Sequence, residues 1–223
     1  MVYINIHCHQ YEIIPGIIQI HNLFHSGSEQ AKINPDKLFS IGIHPWHSKE
    51  ANLNSALPKI GEFAKLKNVV AIGECGLDKL KGADIETQKK NFISQIKISE
   101  ELHKPLIIHC VKAFEEIILL KKQLKPTIPW IIHGFRQNSE IAKRLIDGGF
   151  YLSFGIHLTK NNPELNSIFS NLPDGSFYFE TDDEESIKIN LVYKSAAKIR
   201  NTTVEKIAII QNENFRDCFK VVL

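Results

Sequence analysis

The feature that most limits what this chain can fold into is an alternation of texture. Short apolar, β-rich runs recur at 3–9, 16–24, 38–43, 69–73, 105–110, 129–134, 150–155 and 177–181, and helical patterns at 53–66, 87–102, 113–123 and 139–147 separate several of them. Parallel neighbours need a crossover connection, so strand-helix alternation argues for a parallel α/β sheet. Eight such runs argue for closure into a TIM-type (β/α) barrel of about eight strands. The length of 223 residues suits one such barrel, and 43% hydrophobic residues supply its core. No repeat, linker or low-complexity stretch interrupts the chain, so residues 1–223 are expected to form a single domain. One unit departs from the pattern. Between His9 and Pro15 there is no room for a helix, which makes the first βα unit shortened or irregular and leaves the second run free to lie antiparallel or displaced.

In the tail, 186–200 reads as an amphipathic helix. Thr202-Thr203-Val204-Glu205 then supplies a capping-box start for a second helix, with Phe215 and Phe219 spaced to pack together.

Polar residues collect where the apolar runs end, which is where a barrel of this kind carries its active site. In the first run, period-two alternation puts Asn5, His7 and His9 on one strand face, positions that packing alone would give to Val or Ile. His44 follows Ile41-Gly42-Ile43, and Glu74 follows Val70-Ala71-Ile72-Gly73. His109 and His133 close the runs Leu106-Ile107-Ile108 and Trp130-Ile131-Ile132, and Asp182 follows Phe179-Glu180-Thr181. A lone His after an apolar strand is usually structural. A set of imidazoles and carboxylates at one end of a barrel instead matches the N and O ligands of zinc, manganese or magnesium in hydrolytic sites. A Glu in such a set can bridge two cations.

Cys8, Cys75 and Cys110 adjoin the proposed ligands, but an odd-step neighbour of an inward-pointing residue points outward, so these read as small buried hydrophobes. No CxxC pair or disulfide framework is present. The net charge of +2 gives no global bias toward nucleic acid or membrane, so an anionic substrate needs a local site. Met1 runs directly into the first strand, and no apolar run suits a membrane span; the expected location is the cytoplasm, with no membrane association. No protein partner is implied.

Six motifs, in order, resemble the TatD-related family of metal-dependent DNases among the amidohydrolase-like barrels. They are His7-Cys8-His9, Gly42-Ile43-His44-Pro45, Ala71-Ile72-Gly73-Glu74-Cys75-Gly76-Leu77-Asp78, Pro105-Leu106-Ile107-Ile108-His109, His133-Gly134-Phe135 and Glu180-Thr181-Asp182, with Asn214-Phe215 similar to the family's last helix. The resemblance implies two divalent ions (Mg, Mn or Zn). His7, His9 and Asp182 would hold one, Glu74 would bridge, and His109 and His133 would complete the second. It implies Asp182 as proton acceptor, DNA as substrate, and hydrolysis of its phosphodiester bonds, from the 3′ end in one version. His44, Lys112 and Arg136 are candidates for contact with the phosphate, and Glu180 suits a supporting position behind the ligands.

The chain departs from the family at Asn5, where Asp is usual, at Cys110-Val111-Lys112, where Ser-Arg is usual, and at the acidic run Asp183-Glu184-Glu185. These departures keep two other readings open: hydrolysis of a non-nucleic-acid ester, amide or lactone, and a near-silent metal-binding scaffold.

Overall fold

The computed structural model describes residues 1–10, 12–24, 35–49, 53–184 and 188–221. His25, Glu185 and the expected start of the first tail helix lie outside the described residues. The eight strands are β1 (Tyr3–Cys8), β2 (Ile17–Phe24), β3 (Leu38–Gly42), β4 (Val69–Asp78), β5 (Leu106–Val111), β6 (Trp130–Ile132), β7 (Tyr151–Phe154) and β8 (Phe177–Phe179). They form one eight-stranded sheet in chain order, the strand order of a (β/α) barrel. The helices are α1 (Leu53–Ala64), α2 (Ile85–Leu102), α3 (Phe114–Leu124), α4 (Ser139–Asp147), α5 (Pro163–Ser170), α6 (Ile189–Ile199) and α7 (Val204–Phe219). Among the described residues, no helix is long and apolar enough to cross a membrane.

Three elements differ from the expectation. β2 is neither antiparallel nor displaced: it pairs with β1 in parallel, Tyr3 opposite Ile17 and Asn5 opposite Gln19. A six-residue strand spans only about 20 Å, so an extended return can cover it without a helix. Residues 12–14 make part of that return with no regular structure, and Ile13 and Ile14 are exposed. β4 does not stop at Gly73 but continues to Asp78, with a register shift against β5 between Ile72 and Cys75. Gly76 permits this close approach, because a Cβ there would overlap the carbonyl oxygen of His109. α5 was not anticipated. Its start is legible afterwards: the Asn162 side chain accepts from the N–H groups of Glu164 and Leu165, and Pro163 sits in the first turn.

Contacts divide the chain into two compact units. The first joins residues 1–21 to 132–223. In it β8 runs on to meet β1, where Asp182 N–H donates to His7 O (3.0 Å) and His9 N–H donates to Asp182 O (3.1 Å). Its core is aromatic: the Phe169 and Phe177 rings lie 4.8 Å apart, as do those of Phe179 and Tyr193. The Tyr193 hydroxyl accepts from Ile4 N–H (2.8 Å) and donates to Ile4 O (3.1 Å), tying α6 to the opening strand. α7 packs on β1 and β8, with Gln211 donating to Phe177 O (2.9 Å) and Asn212 to Val2 O (3.2 Å).

The second unit is residues 22–131. Its distinctive element is α2, whose buried face mixes Phe92 and Ile96 with Gln88, Asn91, Gln95 and Ser99. These amides act as surrogate strands. Gln95 accepts from Ile43 N–H (2.7 Å) and donates to Ile43 O (3.2 Å), so the end of β3 is capped from the helix. Gln88 accepts from Asp78 N–H (2.7 Å) and donates to Asp78 O (2.9 Å), Lys81 O (3.0 Å) and Ala83 O (2.7 Å), which fixes the loop after β4.

Candidate functional site

Each unit gathers its own group of imidazoles and carboxylates. In the first unit β1 supplies His7, His9 follows the end of β1, His133 follows β6, and Asp182 stands three residues past the end of β8. The ligand atoms of His7, His133 and Asp182 lie within 4.8 Å of one another. Asp182 Oδ1 is 3.5 Å from both His7 Nε2 and His9 Nε2, and the His7 and His133 rings have centroids 4.6 Å apart. Asp182 reaches this position from a left-handed backbone (φ 54°), a conformation that Asp tolerates better than most residues. Burial pushes the Asp182 carboxyl up, but hydrogen bonds to His7 and His9 and the charges of His133 and His7 outweigh it, holding the group well below the usual carboxylate range.

Behind these residues stands a supporting layer. Glu180, buried, accepts from Gly134 N–H (2.7 Å) with an oxygen 3.5 Å from His133 Nδ1. Asn5, also buried, donates to Thr181 Oγ1 (2.8 Å) and accepts from Thr181 N–H (3.1 Å), so both ends of its amide hold the residue beside Asp182.

In the second unit β4 supplies Glu74, β5 supplies His109, and the residue after Ile43 is His44. Their ligand atoms also lie within 4.8 Å of one another. Glu74 Oε1 is 3.0 Å from His44 Nε2 and 2.8 Å from His109 Nδ1. Glu74 is itself fixed through its backbone, whose N–H donates to Asn22 Oδ1 (2.8 Å). On the far side of His109, Nε2 lies 3.1 Å from Asp78 Oδ2, and the same oxygen accepts from Trp46 Nε1 (2.6 Å). Reading the sequence missed Asp78 and Trp46 as site residues. Both stood inside motifs noted above, but an Asp past a glycine-broken strand and a Trp after Pro carry no ligand signature.

Within the first unit His133 lies with His7 and Asp182, and within the second His44 lies with Glu74 and His109. The remaining candidates are peripheral. Lys112 is exposed at φ 56°, and Arg136 is exposed with its Nη1 3.1 Å from His157 Nε2. His157 is shifted down by burial and then by the Arg136 and Lys160 charges. The cysteines near the site are inert in character: burial pushes Cys8 up to about 12 and Cys75 well above its ordinary value.

Both groups fit a divalent cation. They offer imidazole nitrogens and carboxylate oxygens at separations a single ion can close, in buried or half-buried surroundings, and these donors suit zinc, manganese or magnesium.

The comparisons with known proteins follow this geometry. Residues 18–220 match the family described as TatD related DNase. A relative named "Uncharacterized metal-dependent hydrolase YabD", from Bacillus subtilis, is 30% identical over 197 residues, covering 82% of this chain and 77% of its own. A protein named "3'-5' ssDNA/RNA exonuclease TatD", from Pantoea ananatis, is 34% identical over 119 residues, covering 52% of this chain and 45% of its own. The crystal structure of the TatD homolog YJJV from Escherichia coli superposes with a TM-score of 0.84 at 20% identity, covering 99% of this chain and 98% of that one. That likeness bears on the fold, the TIM-type (β/α) barrel expected above.

Proposed function

This chain belongs to the TatD related DNase family and is a metal-dependent hydrolase, and we propose that it cleaves DNA phosphodiester bonds, acting on single strands from the 3′ end, with residues 1–223 working as one domain. The observation that carries the reading is the pair of histidine–carboxylate groups on the strand ends, one in each unit. The proposed metal residues are His7, His9, His133 and Asp182 from the first unit and Glu74 and His109 from the second. When bound, divalent ions supply Lewis-acid chemistry: they lower the pKa of a water and offset phosphate charge.

The chain's own groups do the rest. Asp182 stays ionised between His7 and His9, so its carboxylate is available to accept a proton at Oδ1. Glu180 and Asn5 hold the backbone on which His133 and Asp182 are mounted. His44, Lys112 and Arg136 are the proposed phosphate contacts, where Lys112 acts as a point charge and Arg136 offers a two-pronged donor. The proposal of DNA also draws on the exonuclease name of the Pantoea relative.

The test uses single-stranded DNA labelled at its 5′ end, with Mg²⁺ or Mn²⁺. The expected result is a ladder of progressively shortened products with wild-type protein and none with Glu74→Ala. Wild-type protein that leaves DNA intact with every divalent metal tried refutes the nuclease reading. A second reading, hydrolysis of an uncharged or smaller ester, is favoured by one observation: Asp183 and Glu184 directly follow Asp182, with Asp183 exposed. Turnover of carboxylic or phosphate ester substrates by the same preparation, with DNA untouched, would select it.

A further inference from the structure

The chain has two tryptophans, and the second unit treats them in opposite ways. Trp130 is fully buried in β6, whereas Trp46, on the short 3₁₀ turn Pro45–His47 after β3, leaves 43% of its surface open. A single exposed apolar side chain needs no explanation. Trp46 differs because it is open and yet held. Its indole Nε1–H donates to Asp78 Oδ2 (2.6 Å) and its backbone N–H donates to His44 Nδ1 (3.1 Å). The His44 and His109 rings stand edge-on to it, with centroids 4.8 and 5.8 Å away. The indole is therefore a fixed plane beside the His44–Glu74–His109 group.

One face of that plane carries an ammonium. Lys81 Nζ lies 4.1 Å from the ring centroid, the geometry of a cation–π contact. Lys81 belongs to the loop after β4, and that loop is built against the turn that carries Trp46. Gly82, at φ 93°, lies so close to the Pro45 carbonyl oxygen that a Cβ there would overlap it, and the Gln88 amide donates to Lys81 O (3.0 Å) and Ala83 O (2.7 Å). Residues 78–85 line an open cleft of about 420 Å³, the scale of a small-ligand site, and Leu80 on its wall is 68% exposed. The acidic groups of this wall are engaged locally. Asp84 caps α2 through Thr87 N–H (2.9 Å) and the Thr87 hydroxyl (2.7 Å), and Asp78 accepts from the backbone N–H groups of Leu80 (2.8 Å) and Lys81 (3.2 Å). Lys79 pairs with Glu116 (2.6 Å), so the ammonium that faces the indole is that of Lys81.

An open aromatic face paired with a cation is how proteins hold single-stranded nucleic acid: a base stacks on the ring and the cation meets the backbone. We propose that Trp46 is the stacking platform for an unpaired base of single-stranded DNA, and that Lys81 yields the ring face to that base and takes the adjoining phosphate. Base–aromatic stacking is stronger than a cation–π contact at an exposed site, which favours the exchange. Every base has a π-face, so the platform tolerates any sequence, whereas a base inside a duplex has its faces already covered. The inference rests on the reading of the chain as a nuclease and adds to it the group that seats the strand.

Tryptophan emission tests it without turnover. With Trp130 buried, quenching by an added oligonucleotide reports on Trp46. The probe is a short oligothymidylate with phosphorothioate linkages, which resist cleavage, in the presence of Mg²⁺. An abasic strand of the same length and linkage is the control. The oligothymidylate should quench wild-type emission and the abasic strand should not. In anisotropy titrations with fluorescein-labelled oligothymidylate, Trp46→Ala should bind about 5- to 100-fold more weakly than wild type, and Trp46→Phe should recover most of that loss. Both variants lack the indole N–H that Asp78 accepts, so the gap between them isolates the stacking ring. Lys81→Ala should lower the slope of log affinity against log salt by about 0.7. Equal affinity of Trp46→Ala and Trp46→Phe overturns the platform, and an unchanged salt slope in Lys81→Ala overturns the phosphate contact. Equal quenching by the abasic strand overturns the platform even if Trp46→Ala fails to fold. Wild-type protein that neither binds the oligothymidylate nor shortens labelled DNA overturns the nuclease reading itself, a distinguishable result.

Discussion

At the scale of single residues, the position that departs from the family's pattern is put to structural use. Asn5 bonds Thr181 through both ends of its amide, and Thr181 adjoins Asp182. Asn5→Ala would remove both amide hydrogen bonds to Thr181 and leave its N–H only the longer bond to His7 O (3.3 Å), at a cost of about 1–3 kcal/mol, seen as a lower urea midpoint. The same experiment on a nuclease-active preparation should show reduced activity, because the Asp182 carboxylate is carried on the adjoining backbone. A midpoint and activity equal to wild type would remove Asn5 from the site's support. The cysteines give a simpler expectation. With Cys8 pushed up to about 12 by burial, native protein at pH 8 should react with a thiol reagent far more slowly at Cys8 than denatured protein does, as read by mass spectrometry of the labelled peptide. The proposed ligands stood out in the sequence because each ends an apolar run. Asp78 did not, because its place at the site depends on donors from Trp46 and from the loop after β4, contacts that no local pattern encodes.

At the scale of elements, α2 shows why periodicity locates a helix yet misses what it does. Phe92 and Ile96 mark its buried face, but Gln88 and Gln95 on that same face carry the hydrogen bonds that strands would otherwise supply. Gln88→Leu keeps the volume and breaks four hydrogen bonds to Asp78, Lys81 and Ala83. The expected outcome is faster amide exchange at Asp78 and in the loop after it; protection equal to wild type would contradict the bracing role. The strand boundaries teach the same lesson. β4 looked finished at Gly73 because glycines weaken a strand pattern, whereas the close approach of β5 at Gly76 is what those glycines permit. The absence of a helix between β1 and β2 was legible, but the parallel pairing was not, since an extended return of this length suits either direction.

At the scale of the whole molecule, stability should depend on pH through a half-buried lysine. Burial in α3 lowers Lys121 to about 8, below the roughly 10.4 of an unfolded chain. Between those values the unfolded state binds more protons, so stability rises with pH across that window and the charged side chain is a burden below it. Lys121→Met should therefore raise the urea midpoint at pH 7 and reduce its increase between pH 7 and pH 9.5; a midpoint at pH 7 below wild type would show that the charge is not penalised. The division of the chain has a further consequence for its synthesis. The first unit unites the opening 21 residues with everything from residue 132 onward, and α7 at the far end packs on β1. On the ribosome the middle segment is complete while the opening strand still waits for its partners. His7 and His9 are made well before Asp182 and the helices that pack on β1. The nascent protein can gather this histidine–carboxylate group only after Asp182 has left the exit tunnel, long after the two imidazoles of the opening segment.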